Sequence, residues 1–212
     1  MSEKNGNRRE NRSNGENQYD RENQNNGDNQ YDRENRDNRK NQYDRVNRNN
    51  RENQYDRLAE VFSTPNGKAF IAFLTAGDPC ADATVEYILE MERAGADLIE
   101  IGIPFSDPIA EGPVIQAANI RALKGGMTTD GAFDIVRRVR EQSRIPLAFM
   151  TYANPVFHYG YDKFFTKCQE LGVDALIVPD LPFEEKREME GPADAHNVAL
   201  ISMVAPTSES RI

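Results

Sequence analysis

Residues 1–57 contain almost no aliphatic side chains. Beyond Met1, Val46 is the only one, and Tyr19, Tyr31, Tyr43 and Tyr55 are the only aromatics. The remainder is Asn, Gln, Arg, Asp, Glu, Lys, Gly and Ser. Such a composition cannot bury enough apolar surface to offset an ordering cost of roughly 1–2 kcal/mol per residue. Disorder is therefore expected over 1–54. The start of the chain also lacks the apolar core of a secretory signal, and no run approaches the length of a membrane span, so neither is expected. Cysteine is scarce: Cys80 and Cys168 lie far apart and fit no metal-binding spacing. Two buried or half-buried thiols in a soluble protein of the reducing cytoplasm are the expectation.

A basic surface is missing too. Residues 1–57 carry 13 Lys and Arg against 12 Asp and Glu; the remainder carries 13 against 23, so the acidity behind the net charge of -9 lies in residues 58–212. An acidic body without a compensating basic patch argues against nucleic acid or an anionic membrane as partner.

What the first segment does contain is a repeat. Asn-Gln-Tyr-Asp-Arg occurs four times, beginning at Asn17, Asn29, Asn41 and Asn53, always 12 residues apart. The unit is shorter than solenoid repeats and has no hydrophobic face with which to stack. Spaced tyrosines and arginines as weak binding groups are one reading, a neutral expansion the other. The last copy runs into Leu58-Ala-Glu-Val-Phe62, read as a short amphipathic helix with Tyr55, Leu58 and Phe62 on one face. The repeat is then explained as copies of that helix's own beginning.

From residue 67 short apolar runs alternate with helical patterns. Strands are expected at 69–75, 97–102, 145–150, 175–178 and 198–204, and helices at 82–94, 114–123, 130–142, 161–171 and 183–196. Short apolar strands, each followed by a helix, indicate a parallel sheet covered by helices. An open doubly wound sheet and a (β/α)8 barrel both satisfy that pattern. No Gly-x-Gly-x-x-Gly follows the first strand, which removes the main support for a dinucleotide-binding sheet. Polar groups instead gather at the strand C-terminal ends: Asp78, Glu100 with Asp107, Tyr152 and Asp180. That rim carries the active site of a barrel, so a barrel is preferred.

Glu100 stands inside the second strand between Ile99 and Ile101. A carboxylate there is costly unless paired or functional. Strand alternation puts Leu98, Glu100 and Gly102 on one face, with Glu100 directed inward near the top of the strand. Desolvation would raise its pKa and suit it to proton transfer near neutrality; a Glu held by a buried Arg or Lys is the alternative. The following loop, Pro104-Phe-Ser-Asp-Pro-Ile-Ala-Glu-Gly-Pro113, is stiffened by three prolines and holds Asp107 and Glu111 ahead of a helix opening near Pro113.

Five blocks in order, Phe73-Leu-Thr-Ala-Gly-Asp-Pro79, Ala94 through Pro108, Gly112-Pro-Val-Ile-Gln116, Met150-Thr-Tyr-Ala-Asn-Pro155 and Gly172-Val-Asp-Ala175 through Asp180, resemble the tryptophan synthase α chain family. The likeness covers about residues 55–212. It implies a (β/α)8 TIM-barrel fold and a lyase of tryptophan biosynthesis that cleaves indole-3-glycerol phosphate to indole and glyceraldehyde 3-phosphate by a retro-aldol step. It further implies no metal or cofactor in this chain, and a β chain partner, itself carrying pyridoxal phosphate, in an α2β2 heterotetramer. Glu100 matches the family's acid/base. Glu111 falls where the second catalytic carboxylate sits, normally Asp, and would stabilise positive charge at the indole N–H. Phe73 and Tyr152 match residues enclosing the indole, and the loop at Asp107 resembles the β chain contact.

The expected architecture is that barrel truncated after about five βα units, without strands six to eight and the phosphate-binding loops. Little or no lyase activity is expected of the chain alone, because remote binding energy drives catalysis as well as affinity. Three other readings stand beside it: another phosphosugar-binding barrel enzyme, a non-catalytic fragment retaining only β chain binding, and an incomplete product that does not fold stably.

Overall fold

Alternating apolar runs and amphipathic segments place five parallel strands beneath a layer of helices, in a computed structural model that describes residues 57–63 and 67–211. The repeat segment, its expected disorder and Tyr55 lie outside the described residues. The strands are β1 (Ile71–Thr75), β2 (Leu98–Gly102), β3 (Leu147–Met150), β4 (Ala175–Ile177) and β5 (Ala199–Ile201). They pair in the order β1-β2-β3-β4-β5, every pair parallel. A doubly wound sheet reverses its order at a switch point. Here the order never reverses, which is the run of a barrel wall.

The register sorts the side chains into two rows. Leu74, Ile101, Phe149, Leu176 and Leu200 align across the sheet and share one large core with the helices. Phe73, Glu100, Ala148, Ala175 and Ala199 form the row on the opposite face. Bulky branched residues thus support the helices, while mostly small ones leave the other face open around Glu100.

The helices are α1 (Ala81–Arg93), α2 (Pro113–Lys124), α3 (Thr129–Arg140), α4 (Ala153–Tyr159), α5 (Tyr161–Leu171) and α6 (Arg187–Ala195), with a final 3-10 turn at Pro206–Arg211. Pro113 opens α2, where a missing N–H costs nothing. The Thr128 hydroxyl caps α3 by accepting from the Gly131 N–H at 3.1 Å. Phe133 of α3 meets Phe149 of β3 and Phe164 of α5 edge-on at 5.3 and 5.2 Å, the aromatic centre of the helix-side core.

Several expectations need correction. The helix expected after the third strand was 161–171, and α4 (Ala153–Tyr159) precedes it; Pro155 is tolerated there because it falls in the first turn of α4. Gly160, at φ +88, then separates α4 from α5. β5 ends at Ile201, and Ser202, Met203 and Val204 continue unpaired and exposed. Cys80 is exposed, since it caps α1 at the surface; Cys168 is buried, and that burial pushes its thiol upward. Residues 57–62 are helical, but only Leu58 packs on the sheet, against Leu98, Ala148 and Ala175, whereas Phe62 is 64% exposed.

At the N-terminal ends of β3 and β4 an ionic knot ties the sheet together. The Asp174 side chain is fully buried and accepts from the Leu147 N–H at 2.9 Å. Arg140 reaches it at 3.1 Å and Arg57 at 2.8 Å. Arg140 also donates to the carbonyls of Ile145 and Gly172. Burial lowers the Arg140 pKa to about 10, so it stays charged at neutrality. Burial pushes Asp174 upward against the opposing pull of the Leu147 N–H and the two guanidiniums.

Candidate functional site

The opposite, C-terminal end of the sheet collects most of the groups singled out by sequence. Glu100 lies at the middle of β2, half-buried, on the face away from the helices. Burial raises its pKa, and among the described residues no Lys or Arg pairs with it. A desolvated carboxyl without a cation holds its proton more readily than a surface Glu.

One step further along the same face, the Phe73 ring lies across Gly102. A Cβ at that position would come within 2.7 Å of the ring's Cζ. Only glycine lets the aromatic close over the strand end. Phe73, Glu111 and Tyr152 line one narrow recess together with Met150, Thr151 and Asn119. Glu100 is not part of that lining; it is paired in register with Phe73 and Ala148.

Tyr152 does more than enclose space. Its ring is 3% exposed and tilts against Phe105 at 5.4 Å. Its hydroxyl donates to the Glu111 carboxylate and accepts from the N–H groups of Ile109 and Ala110 at 3.0 and 2.8 Å. Burial, reinforced by the Glu111 carboxylate, raises the phenol's pKa. A protonated phenol therefore fixes both the carboxylate and the turn that carries it. The Gln116 amide adds a bond of 2.9 Å to the Glu111 carbonyl, joining the loop to α2. Nothing in the spacing of residues 111 and 152 announces this link, because it depends on how β3 meets the loop in space.

The other rim acids are tied up differently. Asp78 is gripped by Arg121 through two bonds of 2.8 and 2.7 Å, which holds its carboxyl below the ordinary range. Asp180 accepts the Ala153 N–H at 2.8 Å and so caps the turn into α4. Asp107 stands on the exposed part of the loop and accepts the Ser106 hydroxyl, away from the recess. Ile109 and Val114, on either side of Glu111, are each 79% exposed. Among the described residues no three His, Cys, Asp or Glu side chains gather to hold a metal ion. A groove of about 410 Å³ lies along the rim near β4 and β5, lined by Phe183, Met203 and Val204, and touches the recess only at Pro179. Its lining contains no carboxylate.

Comparison with known proteins converges on one family. The model described as "Tryptophan synthase alpha chain" matches residues 60–212. The tryptophan synthase alpha chain of Alkaliphilus metalliredigens is 51% identical over 145 residues, covering 68% of this chain and 54% of the relative. That of Caldanaerobacter subterraneus is also 51% identical over 145 residues, covering 68% and 55%. Among solved structures, the tryptophan synthase alpha chain of Legionella pneumophila superposes with a TM-score of 0.68 at 37% identity, over 72% of this chain and 57% of that one. A chain of the tryptophan synthase a2b2 complex of Pyrococcus furiosus gives 0.63 at 39% identity, over 65% and 58%. The chain spans about half the length of the curated relatives it matches.

Proposed function

Because the chain belongs to the tryptophan synthase alpha chain family, we propose that its C-terminal rim is a lyase site that cleaves indole-3-glycerol phosphate to indole and glyceraldehyde 3-phosphate. The observation that carries this reading is Glu100, a half-buried carboxyl raised by desolvation and free of any basic partner among the described residues. Protonated, Glu100 delivers its proton to the indole ring carbon that bears the side chain. The carbon–carbon bond breaks as the adjacent glycerol hydroxyl loses its proton, the aldehyde forms, and the electron pair returns to the ring. The proton count closes with Glu100 restored. Glu111 faces the positive charge that develops at the indole N–H, and the Tyr152 phenol holds that carboxylate in place. Phe73 and Tyr152 supply the aromatic walls.

No step of this scheme calls on a metal or an organic cofactor in this chain. By analogy with the Pyrococcus furiosus a2b2 complex, the partner is a β chain, which would carry pyridoxal phosphate, in a heterotetramer. We place the body at residues 55–212 and the repeat tail at 1–54; Arg57, bound to buried Asp174, supports a boundary just before it. The cytoplasm is the proposed location, and no described helix is long and apolar enough to cross a membrane.

The loop favours a second reading, partner binding without turnover. Ile109 and Val114 present apolar side chains beside exposed Asp107, as a docking loop would. The deciding experiment is indole release from indole-3-glycerol phosphate by the purified chain, alone and with a β chain. Indole that disappears in Glu100→Gln supports the lyase. Complex formation with no indole from folded protein supports the second reading.

A further inference from the structure

Tyr152 holds Glu111 and its turn through a phenol, and a phenol places its partners only as firmly as its own backbone is placed. Two bonds to the neighbouring strand and its exit fix that backbone. Before Tyr152, the Thr151 N–H donates to the Ile177 carbonyl at 3.1 Å, continuing the ladder that parallel strands make. After it, the Ala153 N–H donates to the Asp180 carboxylate at 2.8 Å. This second bond lies beyond the ladder, because β4 ends at Ile177 and the acceptor is a side chain. Tyr152 occupies the N-cap position of α4 in an extended conformation, φ -85 and ψ 160, and its own side chain gives the helix no capping bond. The Ala153 N–H, one of the donors that a helix start leaves without an internal partner, is served from Asp180 instead. The phenol then reaches the loop after β2. Asp180 is itself half-buried, and the Leu181 N–H closes its turn on the Val178 carbonyl at 3.2 Å.

We propose that Asp180 is a positioning residue of this site: by holding the backbone at Ala153 it aims the Tyr152 phenol, and through the phenol it places the Glu111 carboxylate and the turn at Ile109 and Ala110. The path runs from the exit of β4, over the end of β3, to the loop after β2. Asp180 touches no substrate in this role. It acts on rate because a group misplaced by about 1 Å can cost about 10²-fold. The effect on turnover rests on the lyase reading; the effect on the loop does not.

The test uses the full chain with Asp180→Ala, which removes the acceptor, and Asp180→Asn, which keeps a neutral one, each alone and combined with Tyr152→Phe. Amide exchange at Ile109 and Ala110 is the first readout, since a local cap on α4 would not move it. Asp180→Ala should speed that exchange about fivefold to tenfold, and Asp180→Asn only about twofold to threefold. Neither should add anything in the Tyr152→Phe background, because residues acting along one path are not additive. Native exchange in folded Asp180→Ala overturns the proposal. So does the same acceleration with and without the Tyr152 hydroxyl, since Asp180 then acts by another route. If Asp180→Ala does not fold, Asp180→Asn decides by the same two comparisons. In indole release from indole-3-glycerol phosphate, Asp180→Ala should lower kcat about tenfold to a hundredfold with KM changed by less than about twofold, and Asp180→Asn should recover most of the loss. A rise in KM alone overturns the proposal, because Asp180 then acts on binding and not through Glu111. A native chain that releases no indole while the exchange coupling holds defeats the lyase reading and leaves Asp180 as the residue that sets this loop.

Discussion

The two ends of the sheet treat their carboxylates in opposite ways. At the N-terminal end Asp174 is fully enclosed, with two guanidiniums and a backbone N–H on it. Toward the C-terminal end Glu100 is half-buried with no Lys or Arg paired to it among the described residues, and Glu111 is held by a phenol. A paired carboxylate is electrostatically spent, whereas an unpaired and partly desolvated one keeps its proton affinity for use. One end holds the strands together; the other, in the proposed lyase, keeps a carboxyl available for chemistry. Asp78 is the exception at the rim, where Arg121 uses it to tie the first βα loop to α2.

The largest effect that separates the two ends is expected from Glu100→Gln. Indole formation should fall by about 10²- to 10⁴-fold, while the urea midpoint at pH 7 stays level or rises, because a desolvated charge has been removed. A parallel loss of stability would show that Glu100 belongs with the structural acids. Asp174→Ala should do the reverse, costing roughly 3–5 kcal/mol of unfolding free energy by leaving buried guanidinium unpaired. Denaturation that shifts by less than 1 kcal/mol would erase the contrast. Tyr152→Phe is expected to cost about 1–2 kcal/mol and to speed amide exchange at Ile109 and Ala110; unchanged exchange would mean that the loop holds itself.

Smaller effects sharpen the picture. Glu100 has a folded pKa above its unfolded value, so its protonated form favours folding. That contribution is complete below the unfolded pKa and is lost as pH rises through the folded one. Stability of the native chain relative to Glu100→Gln should therefore decline as pH rises from about 4.5, the unperturbed value, and level off above the raised pKa. A flat difference curve would mean that burial does not reach the carboxyl. Last, exposed Phe62→Ser should change stability by less than about 0.5 kcal/mol, whereas Leu58→Ala, beneath the same helix, should cost about 1 kcal/mol.

Local pattern carried much of this architecture. Five apolar runs and the amphipathic stretches between them announce five βα steps, and α5 begins and ends at the residues the pattern marks, because Gly160 and Gly172 bound it with positive φ. Where local signals are weak, the pattern errs: the helix at Ala153–Tyr159 goes unmarked although a proline in the first turn suits a helix, and Met203-Val204 reads as strand although no described neighbour pairs with it. Phe62 satisfies helical spacing with Leu58 and yet faces solvent. Periodicity fixes which residues share a face, not whether anything covers that face.

The sequence by itself determined the class of sheet, the family and the position of Glu100 on a strand, since those follow from composition, alternation and the order of five short motifs. Only the tertiary structure decided what each acid touches. Asp174 finds Arg57 and Arg140, Asp78 finds Arg121, and Glu111 finds Tyr152 across separations that local patterning does not encode. Such pairs depend on the register of parallel strands and the path of the connecting helices. Proton affinity depends on them in turn, so the difference between a structural carboxylate and a reactive one appears only when the chain is folded.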